Sequence, residues 1–576
     1  MFDYKNNVWI PDEKIEFLTK QFESAFTLQE RKHKDWDDNY ELYRNKIKTN
    51  RLTQRQAVNI PIMKETIKTL LSKIDDLPNV DWKEKGGNED KEILVQEIWD
   101  TGCKDSKIEL IDLIDKKNVL MYGQSTKKLN IGENIVDIDV LDVYDVGYDP
   151  LMKTNNVETA RFIVQTNIFK TVDEILNNDK YTTDGKNSLK IYIDTASGIT
   201  QSEESKKQFE LKMERLRSMG VNQSDYELFA GGDRLINLTE HYYTHWNSTK
   251  RQNERRVAVY ADKCVLLSDE LLEDVIGVKF WPFIYWSEDP ENNDIYPDSI
   301  ADIIRTPNKI LNVWFSQLIE NRTLKNFQMH WYLPSQNYTA QTYTPGPGVM
   351  LPAPPGDDIN KVIKPVEISG LDDTFGAVNA LIGLIEKATG ATAIEKGTPE
   401  QGQQTLGEIE ILVGKAQERA TSMSKFYKIA WYETASKWIE ISEVNKPEIL
   451  NLYKINNNGK IYSKKIFSSD WESEYGYEPI ITSTSEQETN NIKTIQKFNY
   501  VMSQFPNNNA LRKILQSRQL KILDLTPDEL KQIEEEEDRN IKQQEMMNQI
   551  PQNINSQNQP QPQPVLSPLQ ANQIMQ

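Results

Sequence analysis

Repeated changes of hydrophobic period along the chain do most to limit what it can fold into. Residues 15–48 carry Phe17, Phe22 and Phe26 at helical spacing, followed by Trp36, Tyr40 and Tyr43 among charged residues. A second helix is expected over 61–77, with Ile62, Thr66, Thr69, Leu70 and Ile74 on one side. A third is expected over 89–122, stopped by Gly123. The period then shortens. Ile135, Asp137 and Asp139 alternate, Val140–Tyr144 cluster as in a strand, and Tyr148-Asp149-Pro150 breaks the run. A strand resumes at Arg161–Val164, and Thr171 with Glu174 forms a capping-box signal for a short helix.

The alternation continues in the second half. Thr200 and Glu203 start a helix over 200–220, Phe209, Met213 and Leu216 form its stripe, and Gly220 stops it. Gly231-Gly232 marks a boundary. Residues 236–246, 256–260 and 264–267 read as strands of a small antiparallel unit, with a basic turn of Lys250, Arg251, Arg255 and Arg256. A long helix over 298–327 follows, with Pro307 inside it predicting a kink or restart. Pro345-Gly346-Pro347-Gly348 and Pro354-Pro355-Gly356 make 333–365 loop-rich. Helical patterns at 372–390 and 405–444 flank a polar loop, 391–404, with Gly397, Pro399 and Gly402. Short strands near 453–481 precede helices starting at Ser485 and Thr526. Residues 546–576 hold no charge and are dominated by Gln, Asn and Pro, which predicts disorder. The fold class that follows is α+β, mainly helical, in several parts.

Charge narrows the function. The net charge is -19, whereas proteins that grip nucleic acid are basic, because affinity comes from displacing counterions with Lys and Arg. A DNA-handling role is therefore one without tight holding. Cys103 and Cys264, far apart, suit neither a disulfide framework nor a zinc ribbon. No apolar run approaches the roughly 18 residues a membrane helix needs. The start, MFDYKNNVWI, lacks a signal-peptide pattern, so the chain is expected to stay where it is translated.

No G-x-x-x-x-G-K-[ST] occurs to cradle a triphosphate, so a motor for DNA would be another protein. Asp137, Asp139, Asp142, Asp145 and Asp149 suggest a Mg²⁺ nuclease cluster, yet alternation puts the first two on one strand face, where a solvated edge explains them. His241 and His245 beside Glu240 share a strand face, but no third ligand is evident. No catalytic residue, metal or cofactor is assigned.

Several segments, in this order, resemble the portal proteins of short-tailed phages. They are Trp36…Tyr40…Tyr43, Asn59-Ile60-Pro61, the run Val143–Pro150 followed by Ala160-Arg161-Phe162, and Leu238–Tyr243 with its hairpin. Phe280-Trp281-Pro282-Phe283 then precedes a helix bearing Asn308, Asn312 and Ser316 at four-residue spacing, similar to the polar face of the family's stem helix. Ala388-Thr389-Gly390 and the helix from Thr405 resemble its tunnel loop and wing helix; Tyr296-Pro297 stands where the family often has Gly.

The resemblance implies a ring of about twelve subunits around a DNA channel. It implies a wing at 1–235, a clip-like unit at 236–290 and a stem helix at 291–330. Wing with tunnel loop would follow at 331–484, a crown at 485–545 and a disordered tail at 546–576. Glu395, Lys396, Gln401, Gln403 and Gln404 would face the channel, with the Glu–Lys pair cancelling in charge. Lys250, Arg251, Arg255 and Arg256 would contact a partner at the clip. Implied partners are the packaging ATPase (terminase), a head–tail adaptor, major capsid and scaffold proteins, and double-stranded DNA passing non-specifically. The implied place is the portal vertex of the virion, reached from the host cytoplasm. The alternatives are a head–tail structural or scaffold protein without DNA passage, and a metal-dependent nuclease using the aspartates.

Overall fold

The computed structural model describes residues 13–45, 58–72, 77–132, 136–153, 156–195, 235–291, 294–326, 374–390, 406–455 and 461–482, with four short strands and a few single positions besides. The chain divides into two units, Met1–Thr484 and Ser485–Gln576, and every element below lies in the first. The helices expected at 200–220 and after Ser485 and Thr526, the loop 391–404 and the tail 546–576 lie outside the described residues.

A short pair, β1 (Phe2–Asp3) with β2 (Val8–Trp9), leads to α1 (Glu13–Tyr43). Ile15, Leu18, Phe22, Ala25 and Phe26 bury one face of α1 at three- and four-residue steps. Phe17, counted with that face in the sequence, falls between those rows and is 49% exposed. α2 (Ile62–Leu71) ends earlier than its apolar pattern suggests, and β3 (Asn79–Glu84) follows. The helix expected over 89–122 is two. α3 (Glu89–Asp105) and α4 (Ile108–Tyr122) are divided at Lys107, whose φ of 53° is left-handed. No glycine or proline announces that break. α4 stops at Gly123, as expected: its φ is 82°, and a Cβ there would lie 2.2 Å from the Pro297 carbonyl oxygen.

β4 (Gln124–Ile131) and β5 (Val136–Leu141) form an antiparallel hairpin. β6 (Val146–Tyr148) and β7 (Phe162–Thr171) follow, and Thr171 and Glu174 close the expected capping box on α5 (Val172–Asn177). α6 (Thr183–Thr195) is a helix that the sequence reading did not anticipate. Then come β8 (Leu235–Asn247), β9 (Gln252–Ala261), β10 (Val265–Leu271), the short α7 (Leu272–Ile276) and β11 (Phe283–Ser287).

The strands expected to stand as a small unit at 236–290 are instead part of larger sheets. β8 pairs with β7 from Thr171↔Leu235 to Phe162↔Tyr243, giving a five-stranded antiparallel sheet in the order β10-β9-β8-β7-β6. β11 pairs with β4, making the sheet β11-β4-β5. The antiparallel pairing expected within the unit forms, β8 with β9 and β9 with β10, but β8 and β11 also pair with strands that lie before residue 235.

α8 (Ile300–Asn326) runs unbroken through Pro307. β12 (His330–Tyr332) pairs antiparallel with β13 (Ile363–Pro365), closing the base of the excursion between them. α9 (Thr374–Thr389) packs on α8, and α10 (Leu406–Val444) is the longest helix described. β14 (Ile449–Ile455) and β15 (Ile461–Phe467) form a hairpin, and β16 (Tyr477–Thr482) returns to pair with β3. The core joins these distant parts. Trp82 of β3, Trp99 of α3 and Trp438 of α10 meet with Trp99 and Trp438 centroids 4.8 Å apart. The architecture is mixed helix and sheet, consistent with the α+β expectation.

Candidate functional site

The basic turn joins β8 to β9, and its four cations have different surroundings. Arg255 is drawn inward. Its guanidinium pairs with the Glu158 carboxylate, donates to the Lys279 carbonyl at 2.9 Å and lies 4.5 Å over the Trp281 ring. Arg256 grips Asp269 through Nε at 3.1 Å and Nη2 at 3.2 Å, and Lys14 of α1 pairs with the same carboxylate. Lys250 lies 3.0 Å from Glu254, whose carboxyl that bond holds below its ordinary value. Arg251, exposed at φ 51°, sits at the turn itself. Lys250 and Arg251 are thus the exposed pair at the turn, with Glu254 beside Lys250, whereas Arg255 and Arg256 are half-buried and bound to Glu158 and Asp269.

The polar residues of α8 are inside, not on an exposed face. Asn308, Asn312 and Ser316 are all buried. Asn312 Oδ1 accepts from the Ile60 amide at 2.8 Å, and Ser316 Oγ accepts from the Val58 amide at 3.0 Å. The Asn59-Ile60-Pro61 segment and the Asn-Asn-Ser series are thus two sides of one seam. Of the channel-loop residues, Glu395, Lys396, Gln401, Gln403 and Gln404 lie outside the described residues. The loop's flanks are described: α9 leads into Gly390, at φ 75°, and α10 begins at Leu406.

The five aspartates do separate jobs. Asp137 and Asp139 point outward from β5, an edge strand, as the alternation indicates. Asp142 accepts from the Tyr144 amide, and Asp145 from Asn167 at 2.7 Å. Asp149 is fully buried. Burial alone would push its carboxyl up, but the two-pronged Arg161 contact at 2.7 Å and the amides of Leu151 and Arg161 hold it below its ordinary value. Glu240 is tied to Lys128 and Tyr242, and His241 is buried against Gln21 at 2.9 Å, whereas His245 is exposed. Among the described residues no group of three or more His, Cys, Asp or Glu is arranged to hold a metal ion.

One polar centre was missed by the sequence reading. Lys127 of β4 and Asp115 of α4, both fully buried, meet at 2.6 Å. Trp286 donates to the same carboxylate at 3.0 Å, and the Lys127 ammonium lies 4.9 Å from the Trp431 ring. Beside them Asp112 binds Lys116 at 2.6 Å and accepts from Tyr427 and Trp431 of α10. The centre fastens the C-terminal part of α10 to α4, β4 and β11. The available signal was charge within apolar periodicity: Asp112, Asp115 and Lys116 inside α4, and Lys127 inside a strand.

A family model described as phage SU10 portal protein matches residues 19–441. No curated protein matches the sequence. No described helix is long and apolar enough to cross a membrane.

Proposed function

The chain belongs to the phage SU10 portal protein family, and from that premise we propose that it forms the ring at the capsid vertex through which double-stranded DNA is packaged and later ejected. The observation that carries this reading is the extent of the match, from within α1 to near the end of α10. The role is structural. The ring, of about twelve subunits, encloses a channel, with the packaging ATPase docking during filling and a head–tail adaptor replacing it afterwards. Capsid and scaffold proteins surround it. The net charge of -19 per chain suits this work, since a phosphate backbone slides past a surface that does not bind it.

In this reading α8 is the stem helix, 391–404 the tunnel loop and 485–545 the crown. The clip has two candidates. One is the β8–β9 turn with Lys250 and Arg251. The other is the excursion 333–362, favoured because β12 and β13 pair at its base and it lies in sequence between α8 and α9, which pack on each other. Gold-labelled antibody against the protein tests its place. Label at a single vertex of the head is expected, together with heads empty of DNA when the protein is omitted. Label over many vertices, or full heads without the protein, contradicts the reading.

A further inference from the structure

α8 meets its neighbours through polar side chains that repeat every four residues. Asn312 and Ser316 accept the Ile60 and Val58 amides. One turn earlier, Asn308 is fully buried, and neither its Oδ1 nor its Nδ2 has a hydrogen-bond partner among the described residues. A buried amide left unpaired is costly, so its presence needs a physical reason. On the α1 side, Asp302 accepts from Asn39 at 3.0 Å, and Lys309 reaches Asp38 at 2.7 Å. The four α8 residues that make these contacts each have a counterpart of the same role four positions earlier: Asp298 for Asp302, Arg305 for Lys309, and, as acceptors, Asn308 for Asn312 and Asn312 for Ser316.

The geometry points to two registers of α8 against α1 and segment 58–60, one helical turn apart, with Asn308 as the acceptor held for the second. In that register α8 is displaced towards its C-terminal end by about 6 Å, four residues at the helical rise. Asn308 then accepts the Ile60 amide and Asn312 the Val58 amide. Arg305 takes Asp38, and Ile304 enters the slot that Asn308 leaves. Both backbone amides keep an acceptor, and the orphaned Asn308 Oδ1 finds a donor, while its Nδ2 stays unpaired, as that of Asn312 is here among the described residues. The Ser299 hydroxyl bond to the Met121 carbonyl, at 3.1 Å, the Lys32–Asp298 pair at 2.6 Å and the Arg305–Asp35 pair are given up, so the register seen here is the resting one. The device stands on α8 and its neighbours alone. The portal reading adds only what would drive it, the load of DNA moving past the helix.

Spin labels on the exposed positions Lys34→Cys of α1 and Gln317→Cys of α8 read the register as a distance. The protein is measured as assembled, diluted with unlabelled subunits, with Cys103 and Cys264 replaced by serine. Ser316→Ala removes an acceptor used only in the resting register, so a second distance population should grow. Asn308→Leu removes the acceptor needed only in the other register, so that population should vanish and the melting temperature rise. A single, unshifted distance in Ser316→Ala overturns the proposal, as does a second distance that survives Asn308→Leu. Should Asn308→Leu fail to fold, Ser316→Ala decides alone. Neither result bears on whether the protein forms a ring.

Discussion

Single residues were legible where their chemistry is local. Alternation placed Asp137 and Asp139 outward on β5, and the spacing of Thr171 and Glu174 gave a capping box that forms as read. Residues whose partners are distant in sequence were not legible: nothing near Arg255 announces Glu158, and nothing near Arg256 announces Asp269. That distinction guides mutation at the basic turn. If the β8–β9 turn forms the clip, Lys250→Glu with Arg251→Glu should weaken docking of a motor or adaptor at low salt and leave assembly intact, as a binding titration would read; unchanged docking would leave the interface to 333–362. Adding Arg255→Glu and Arg256→Glu would instead repel Glu158 and Asp269 and destabilise the fold. Glu288 carries a pH prediction. Burial first, then Asp289 and Asp302, pushes its carboxyl up to about 8, and its Oε2 is buried without a hydrogen-bond partner among the described residues. A carboxyl raised above its ordinary 4.5 favours the folded state while protonated, so that stability is lost as pH rises through about 8. Glu288→Gln should therefore raise the melting temperature at pH 9 and change it little at pH 5. An equal effect at both values would contradict the assignment.

Elements were legible to the extent that their ends are marked by residue type. Gly123 marks the end of α4, whereas the break between α3 and α4 falls on Lys107, a residue with no intrinsic preference for the left-handed region. The sheets were the harder part, because β8 needs β7 and β16 needs β3, and periodicity does not name a partner. The Lys127–Asp115 pair shows why buried charge escapes such a reading: it looks like surface until its partners are known. It also makes a test of how α10 is fastened. Lys127→Met alone leaves Asp115 buried and uncompensated, and should cost about 3–5 kcal/mol in denaturant unfolding. Pairing it with Asp115→Leu should recover much of that loss, although the Trp286 indole then loses its acceptor. A double variant no better than the single would mean that the charges act separately.

For the whole molecule, the order of segments carried the family resemblance, and the family match over 19–441 agrees with it. Its expected parts are a different matter. The boundary drawn at 235 is crossed by β7–β8 pairing, since a sheet assembled from distant strands ignores a linker read from composition. The loop between α9 and α10 can be tested by function. Deleting Gly397–Gln403 should leave the ring assembled while packaged DNA leaks, giving heads with less than a full genome; full, stable heads would make the segment a plain connector. All of this depends on the protein closing on itself, which exposed α8 residues such as Ile303, Ile310 and Val313 invite by offering apolar surface to a neighbour. The most direct measurement is electron microscopy of the purified full-length protein, with native mass spectrometry of the same sample. Closed rings with a central hole wide enough for duplex DNA, and one dominant mass near twelve subunits, are expected. A strictly monomeric species at micromolar concentration, or open filaments without a channel, would contradict the account.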